Sequence, residues 1–360
     1  MKIAIDAAQA AADKKTGIEY FSYQLIDSLL SNDKKNKYTI LTNKEVRFST
    51  NNYELIHSKK KRFWNKFQLP LLLMRGNYDA FLEPGYMLPS YCPRNSTTYV
   101  HDLGFKHYAE CYSIKNKLLQ ESALKSAVKK AKAILFLTES SKTDFQTFYP
   151  NFRRRMQVTG LSIDEGRFIN TKESTKPIKD DYLLYVGRLE KKKNILNLVK
   201  AFAILCKEKS FKHKLILAGK HGYGYEKIEQ EIKKNNLGNK IIITGYISDD
   251  ALPSYYKHAS LFVFPSFYEG FGIPILEAFA SQTPVVCSKS SSLPEVAGDA
   301  VKYFDPEKPE QIAETISVVL GSKKEADKLV KLGSERLGKY SWKMTALKVI
   351  EVFNSLDEKK

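Results

Sequence analysis

No stretch of this 360-residue chain is apolar over the roughly 18 to 20 residues that a membrane-spanning helix needs. Any contact with a bilayer is therefore expected from the side. Cysteine is scarce. Cys92, Cys111, Cys206 and Cys287 are scattered, with no C-x-x-C spacing to indicate zinc or redox chemistry, so a reducing compartment fits. No repeat of solenoid length is visible. The chain opens on MKIAID, which reads as a first strand and leaves no room for a signal peptide; the expected location is cytoplasmic. Acids are in the minority, with 40 Asp and Glu against 58 Lys and Arg and a net charge of +18. Such a field suits nucleotides, nucleic acid or an anionic membrane surface. A lysine-rich, solvated surface accounts for it equally well. Dispersed charges and the lack of an RNA-reading motif argue against nucleic acid as a partner.

What is present is a double alternation. Hydrophobic residues make up 43% of a chain long enough for two cores. In the first half KIAID, YTILT, DAFLE, TTYVH and AILFLT read as buried strands, and IEYFSYQLIDSLLS and IKNKLLQESALKSAVKKA as helices. Around 171–181 the text is polar, contains proline and has no period, as a linker would. The alternation then restarts with YLLYVG, KLILAG, KIIITG, LFVFPS, PVVCS and AVKYF. Two parallel α/β domains are predicted, 1–170 and 182–340, with a site in the cleft between them. The tail 341–360 carries a helical apolar stripe that either caps its own domain or crosses back to the first; spacing does not decide.

The most informative stretch is YEGFGIPILEAFASQTP, Tyr268 to Pro284. Pro274 suits the first turn of a helix. Glu277 is then expected in that first turn and Glu269 in the loop before it, two acids facing one cavity from different elements. Apolar runs on either side make the order strand, loop, helix, strand, which puts the loop at the carboxyl edge of a parallel sheet. Backbone amides of Gly270, Phe271 and Gly272 favour an anionic or hydroxyl-rich ligand. Two carboxylates would repel a bare phosphate and are better suited to accepting hydrogen bonds from sugar and ribose hydroxyls.

FPSFYEGFGIPILEAFASQTPVV followed by SSSLPEVAGDAVKYFDP resembles the signature of retaining, nucleotide-sugar-dependent glycosyltransferases of the GT-B class, family 4 (glycosyl transferases group 1), which includes bacterial mannosyltransferases of polysaccharide and O-antigen synthesis. Glu269 and Glu277 match that family's E-x7-E element. Further matches follow in family order over nearly the whole chain: KKTGIEYFSYQLI, YVHDLGF, LTESSKTDF, YVGRLEKKKNILNLVKAF, LILAGKHGYGYEKI and TGYISDDALPSYYKHA. The implied fold is GT-B, two Rossmann-like domains with the first receiving the acceptor and the second the donor.

The resemblance implies roles. Glu269 would bond the hydroxyls of the transferred sugar, with amides around Phe271, Gly272 and Ile273, and Glu277 would grip the ribose diol. Arg188 and Lys193, after Gly187 in VGRLEKKKN, match the basic pair on the diphosphate, where fixed cations stabilise the leaving group. Lys191 and Lys192 read as solvated neighbours. His101 matches the sugar-contacting histidine; by itself a lone histidine is more often structural. Gly17 would let backbone approach a phosphate, or is an ordinary turn glycine, and Glu19 stands where many relatives have a second glycine. Tyr246 and Ile247 would border the nucleobase. Gly219 and Lys220 follow a strand and would line the cleft, though Lys220 is equally compatible with a surface role.

The implied reaction is transfer of a hexose to a sugar hydroxyl with retention. No cofactor or metal is expected beyond the nucleotide-sugar donor, in keeping with the lack of a D-x-D element at a strand end. The resemblance points to GDP-mannose as donor and to a glycan or lipid-linked oligosaccharide as acceptor. A UDP-hexose or a deoxysugar nucleotide such as a rhamnosyl donor is the alternative, because the motifs are shared. Rivals of other classes are an epimerase or phosphorylase of the same fold and a basic nucleic-acid-binding protein. Finally, KKKRFWNKFQLPLLLMRG, residues 59–76, reads either as an element that meets the inner face of an anionic membrane or as a lysine-rich turn leading into a core helix.

Overall fold

The computed structural model describes every residue except 14, 16, 59–62, 86, 170–174 and 358–360. It divides into two compact units. One comprises Met1–Leu103, Ile114–Leu161 and Ser341–Lys360, the other Gly104–Ser113 and Ser162–Tyr340.

Among its described residues the first unit holds seven strands: β1 (Lys2–Asp6), β2 (Lys37–Thr42), β3 (Glu54–His57), β4 (Ala80–Glu83), β5 (Asn95–Val100), β6 (Ala133–Phe136) and β7 (Arg155–Val158). They pair in the order β3-β2-β1-β4-β5-β6-β7, all parallel. Four of the five residues of β1 and all of β4 and β6 are buried, which is why these strands read as mainly apolar runs, those of β1 and β4 ending in the acids Asp6 and Glu83. The edge strands β3 and β7 carry Glu54, His57, Arg155 and Gln157 and are only partly covered. No apolar run announces them. The tail helix Trp342–Asp357 packs on the helix Ile18–Asn32 of this unit, burying Val349, Val352, Phe353 and Leu356. Trp342 meets Phe21 and Tyr20 at 5.8 and 6.3 Å between ring centres.

The second unit holds β8 (Tyr182–Val186), β9 (Lys214–Ala218), β10 (Ile241–Gly245), β11 (Leu261–Phe264), β12 (Val285–Ser288) and β13 (Lys302–Phe304), ordered β10-β9-β8-β11-β12-β13 and again parallel. In each sheet the chain steps outward through two neighbours and then returns to the other side of its first strand. The strand order reverses between β1 and β4 in one sheet and between β8 and β11 in the other. Ligands of doubly wound folds bind beyond the carboxyl ends of the strands at such a point.

The unit boundaries differ from the division 1–170, 171–181 and 182–340. The segment predicted as a linker lies inside the second unit, and its residues 171–174 are outside the described ones. Contacts of the preceding residues explain this. Arg167 bonds Asp249, Phe168 packs edge-on against Tyr256, and the Ser162 hydroxyl donates to the Tyr340 carbonyl. The short segment Gly104–Ser113 also belongs to the second unit, although it is flanked on both sides by the first.

Candidate active site

In the second unit the loops after β8 and β11 flank the point of strand reversal, and they carry most of the predicted site residues. After β8 the chain runs through Gly187 and Arg188 into a single helical turn, Lys191–Lys193, and then the helix Ile195–Leu205. Asn194, left-handed at φ 58°, pins that junction by donating to the carbonyls of Pro265 and Pro306. Gly219 follows β9 at φ 157°; a Cβ there would come within 1.9 Å of the Gly187 carbonyl oxygen. Only glycine allows the two strand ends to approach so closely.

The centre of the site is an ion pair. Lys193 Nζ lies 2.6 and 2.8 Å from the two carboxylate oxygens of Glu269, and the two side chains are only 18% and 10% exposed. Glu269 is held from behind: its amide donates to Ser291 Oγ at 2.9 Å, and Ser292 Oγ donates to the Glu269 and Phe271 carbonyls. The turn ends at Gly272 (φ 107°), where a Cβ would meet Leu293 at 2.8 Å, and the helix Ile273–Ala280 begins with Pro274 in its first turn. Glu277 is the fifth residue of that helix, so it lies in the second turn and not, as the proline suggests, in the first. The cause is that Ile273 and not Pro274 opens the helix. Glu277 Oε2 accepts a 2.7 Å hydrogen bond from Tyr256, whose ring is wholly buried.

Other predicted residues are more peripheral. Arg188 is exposed and faces Glu190 at 3.5 Å rather than Glu269. Lys220 stands over the Tyr246 ring at 5.6 Å, and Tyr246 donates to Asp249, which also pairs with Arg167. Ile247 is half-buried beside them. The segment Gly104–Ser113 lies against the same loops. His107 stacks on Tyr268 at 5.4 Å and Tyr108 on Phe267 at 5.6 Å; the Glu110 carbonyl accepts from Lys191, and Lys192 stands over Tyr112.

Two predicted residues belong to the first unit. Gly17 adopts φ 51°, a conformation that favours glycine, with nothing among the described residues within 4 Å of where a Cβ would be. Its requirement is conformational and not steric. His101, one residue beyond β5, is buried between Phe21 and Tyr99, and Nε2 lies 2.8 Å from the Pro84 carbonyl. A carbonyl can only accept, so Nε2 carries the proton. Burial pulls the pKa of the ring below its ordinary value and keeps it neutral. At the β1/β4 reversal Asp6 and Glu83 are both buried, and Trp64 Nε1 donates to both oxygens of Asp6 at 3.0 Å. Burial and the Asp6 charge push the Glu83 carboxyl well above the usual carboxylate range.

Sequence reasoning did not single out Tyr256, Ser291, Ser292, Asn194 or the aromatic segment. Tyr256 and the serines stand inside quoted motifs, but their partners are distant in the chain. No spacing rule reveals them. Among the described residues no group of three or more His, Cys, Asp or Glu could hold a metal ion.

The family model for glycosyl transferases group 1 matches residues 167–336. O-antigen chain mannosyltransferase B of Escherichia coli is 30% identical over 280 residues, 76% of this chain and 73% of that protein. The chain belongs to the group 1 glycosyltransferases. It is therefore a glycosyltransferase, of the hexosyltransferase kind. Solved structures agree on the fold. Sucrose-phosphate synthase from Thermosynechococcus elongatus has a TM-score of 0.78 at 18% identity, with all of both chains covered. Anabaena Alr3699/HepE, in complex with UDP and glucose, has 0.71 at 18% identity, covering 99% of this chain and 100% of that one. The architecture is GT-B.

Proposed function

We propose that this glycosyltransferase moves mannose from GDP-mannose to a sugar hydroxyl of a glycan or lipid-linked oligosaccharide, with retention, in the assembly of a surface polysaccharide such as an O-antigen. The donor and pathway rest on the similarity to the Escherichia coli mannosyltransferase. The observation that carries the chemistry is the buried Lys193–Glu269 pair at the strand reversal.

In this reading Lys193 takes the diphosphate as the donor binds, and Glu269, freed from part of its ion pair, accepts hydrogen bonds from the sugar hydroxyls. Departure of the nucleoside diphosphate concentrates negative charge on the leaving oxygen. Lys193, joined by Arg188 swinging in from its exposed position, stabilises that charge without proton transfer. Glu277 takes the ribose, and Tyr246 and Ile247 border the base. His101 is neutral, with its Nε2 proton committed to Pro84.

The test is a thermal-shift panel of GDP, UDP, dTDP and their hexose conjugates, since a ligand that binds only the folded state raises Tm. A shift specific to GDP and GDP-mannose and lost in Glu277→Ala is expected. The second reading, a UDP-hexose donor, is favoured by the fold shared with the UDP complex of HepE; a UDP-specific shift would select it. The anomeric configuration of the product, read by NMR before mutarotation or on a blocked acceptor, decides retention.

A further inference from the structure

Glu277 sits on the helix Ile273–Ala280, and its two oxygens are in different situations. Oε2 receives the Tyr256 hydroxyl at 2.7 Å, whereas Oε1 has no hydrogen-bond partner among the described residues. Tyr256 cannot easily move. Its ring is fully buried, with Phe262 at 5.2 Å and Phe168 edge-on at 6.0 Å. Its carbonyl accepts from Thr283 Oγ at 2.7 Å, which ties the end of the helix Leu252–Lys257 to the chain just after Ser281. A rigid donor therefore holds one oxygen of a carboxylate and leaves the other to a ligand.

We propose that Tyr256 is the positioning residue of the Glu277 carboxylate, and that this pair makes the site prefer a ribonucleotide over a 2′-deoxyribonucleotide. The inference rests on the reading that Glu277 takes the ribose. A carboxylate recognises a vicinal diol only if it is both ionised and correctly turned. Tyr256 supplies both conditions, because a hydrogen bond to the charged form favours that form and fixes its plane.

The charged neighbours are few. Burial raises the Glu277 pKa, the Tyr256 hydrogen bond opposes that rise, Arg167 from the segment Glu165–Ile169 opposes it further, and Asp249 adds to it. Burial, reinforced by Glu277 and by Tyr185 of β8 and opposed by Arg167, raises the Tyr256 phenol far above its usual range, so it stays a donor. Without the Tyr256 hydroxyl the buried carboxyl loses the strongest influence keeping it charged.

The experiment is calorimetric titration of the full chain with GDP, 2′-deoxy-GDP, UDP and 2′-deoxy-UDP. The parent should bind one ribonucleotide about 10- to 100-fold more tightly than its deoxy form, the range expected for a lost hydrogen bond to a charged group. Tyr256→Phe, which removes one oxygen and leaves the ring, should collapse most of that ratio and make ribonucleotide binding weaken at a higher pH than in the parent as pH falls, because the carboxyl loses the hydrogen bond that opposes its upward shift. Glu277→Gln should collapse the ratio without the pH dependence. A ratio lost in Glu277→Gln but kept in Tyr256→Phe overturns the role of Tyr256 while leaving the ribose reading intact. A ratio kept in both, or no ribonucleotide binding by the parent, overturns the ribose reading itself. If Tyr256→Phe does not fold alone, Tyr256→Phe/Glu277→Gln, which buries no unassisted carboxylate, is compared with Glu277→Gln. Equal discrimination is expected, and a further loss counts against action through Glu277.

Discussion

Lys193 and Glu269 are 76 positions apart in the sequence, yet they form a largely buried, two-oxygen contact that each needs. Replacing Lys193 by alanine should therefore have two effects. It removes the cation proposed to meet the leaving diphosphate, and it leaves a carboxylate in a poorly solvated place. We expect kcat to fall by at least about 100-fold, as for loss of a fixed donor to developing charge, with a lowered Tm. A turnover within twofold of the parent would exclude Lys193 from the reaction. At the other strand reversal the expectation concerns stability. The folded Glu83 carboxyl is shifted up, first by burial and then by the Asp6 charge. As pH rises past about 4.3, the ordinary glutamate value, the unfolded chain releases that proton before the folded one does. Folding stability from this group is thus complete at low pH and is lost as pH climbs toward the raised folded value. Glu83→Gln removes this group's contribution, so its Tm relative to the parent should increase as pH climbs from about 4.3 toward the raised folded value. A constant difference across that range would show that Glu83 ionises normally.

At the scale of elements, the segment Gly104–Ser113 is the main departure from what the sequence suggests. Its aromatic residues look like part of the first alternating domain. They instead stack on Phe267 and Tyr268, immediately before Glu269, while its carbonyl and ring groups meet Lys191 and Lys192, immediately before Lys193. Both members of the central ion pair therefore leave loops that this segment braces. Tyr108→Ala should lower kcat roughly twofold to tenfold, the worth of one aromatic stack converted to rate, and Tyr108→Phe should restore the parent rate. Steady-state kinetics on both variants checks this, and equal rates for the alanine and phenylalanine variants would leave the brace without effect on catalysis. The strands themselves were largely readable: central ones such as β8 and β11 are buried on both faces and hence uniformly apolar, whereas the edge strands β3, mostly exposed, and β7, half-covered, escaped notice.

For the whole molecule, the +18 charge meets a surface that is apolar in places. Phe63, Phe67, Leu71 and Met74 are exposed, while Trp64, Leu69 and Leu73 of the same stretch are buried; the cations 59–62 lie outside the described residues. The described part of this stretch thus has a core-facing side and an outward apolar side. Ile114, Leu118 and Leu119 are exposed as well. No described helix is long and apolar enough to cross a membrane. If these side chains meet a bilayer, sedimentation with anionic vesicles should exceed that with neutral ones and fall with added salt. Phe67→Ser/Met74→Ser should weaken it severalfold without changing the nucleotide-induced shift in Tm. Equal binding to both vesicle types would remove the electrostatic contribution.

Local order and motif identity were settled by the amino-acid sequence alone. Runs of buried strand residues, glycines at strand ends and the Glu269–Glu277 spacing are properties of neighbours in the chain, and they sufficed for the α/β architecture, the family and the carboxyl-edge position of the loop. Tertiary structure alone decided what depends on residues brought together by the sheet order. Parallel strands separated by whole helices place Lys193 on Glu269, Tyr256 on Glu277, Ser291 on the Glu269 amide and Asp6 beside Glu83. Hydrogen bonds and burial act through space over a few ångströms, so which carboxylate is clamped, which is positioned and which is pushed above its usual pKa follows from packing and not from spacing along the chain.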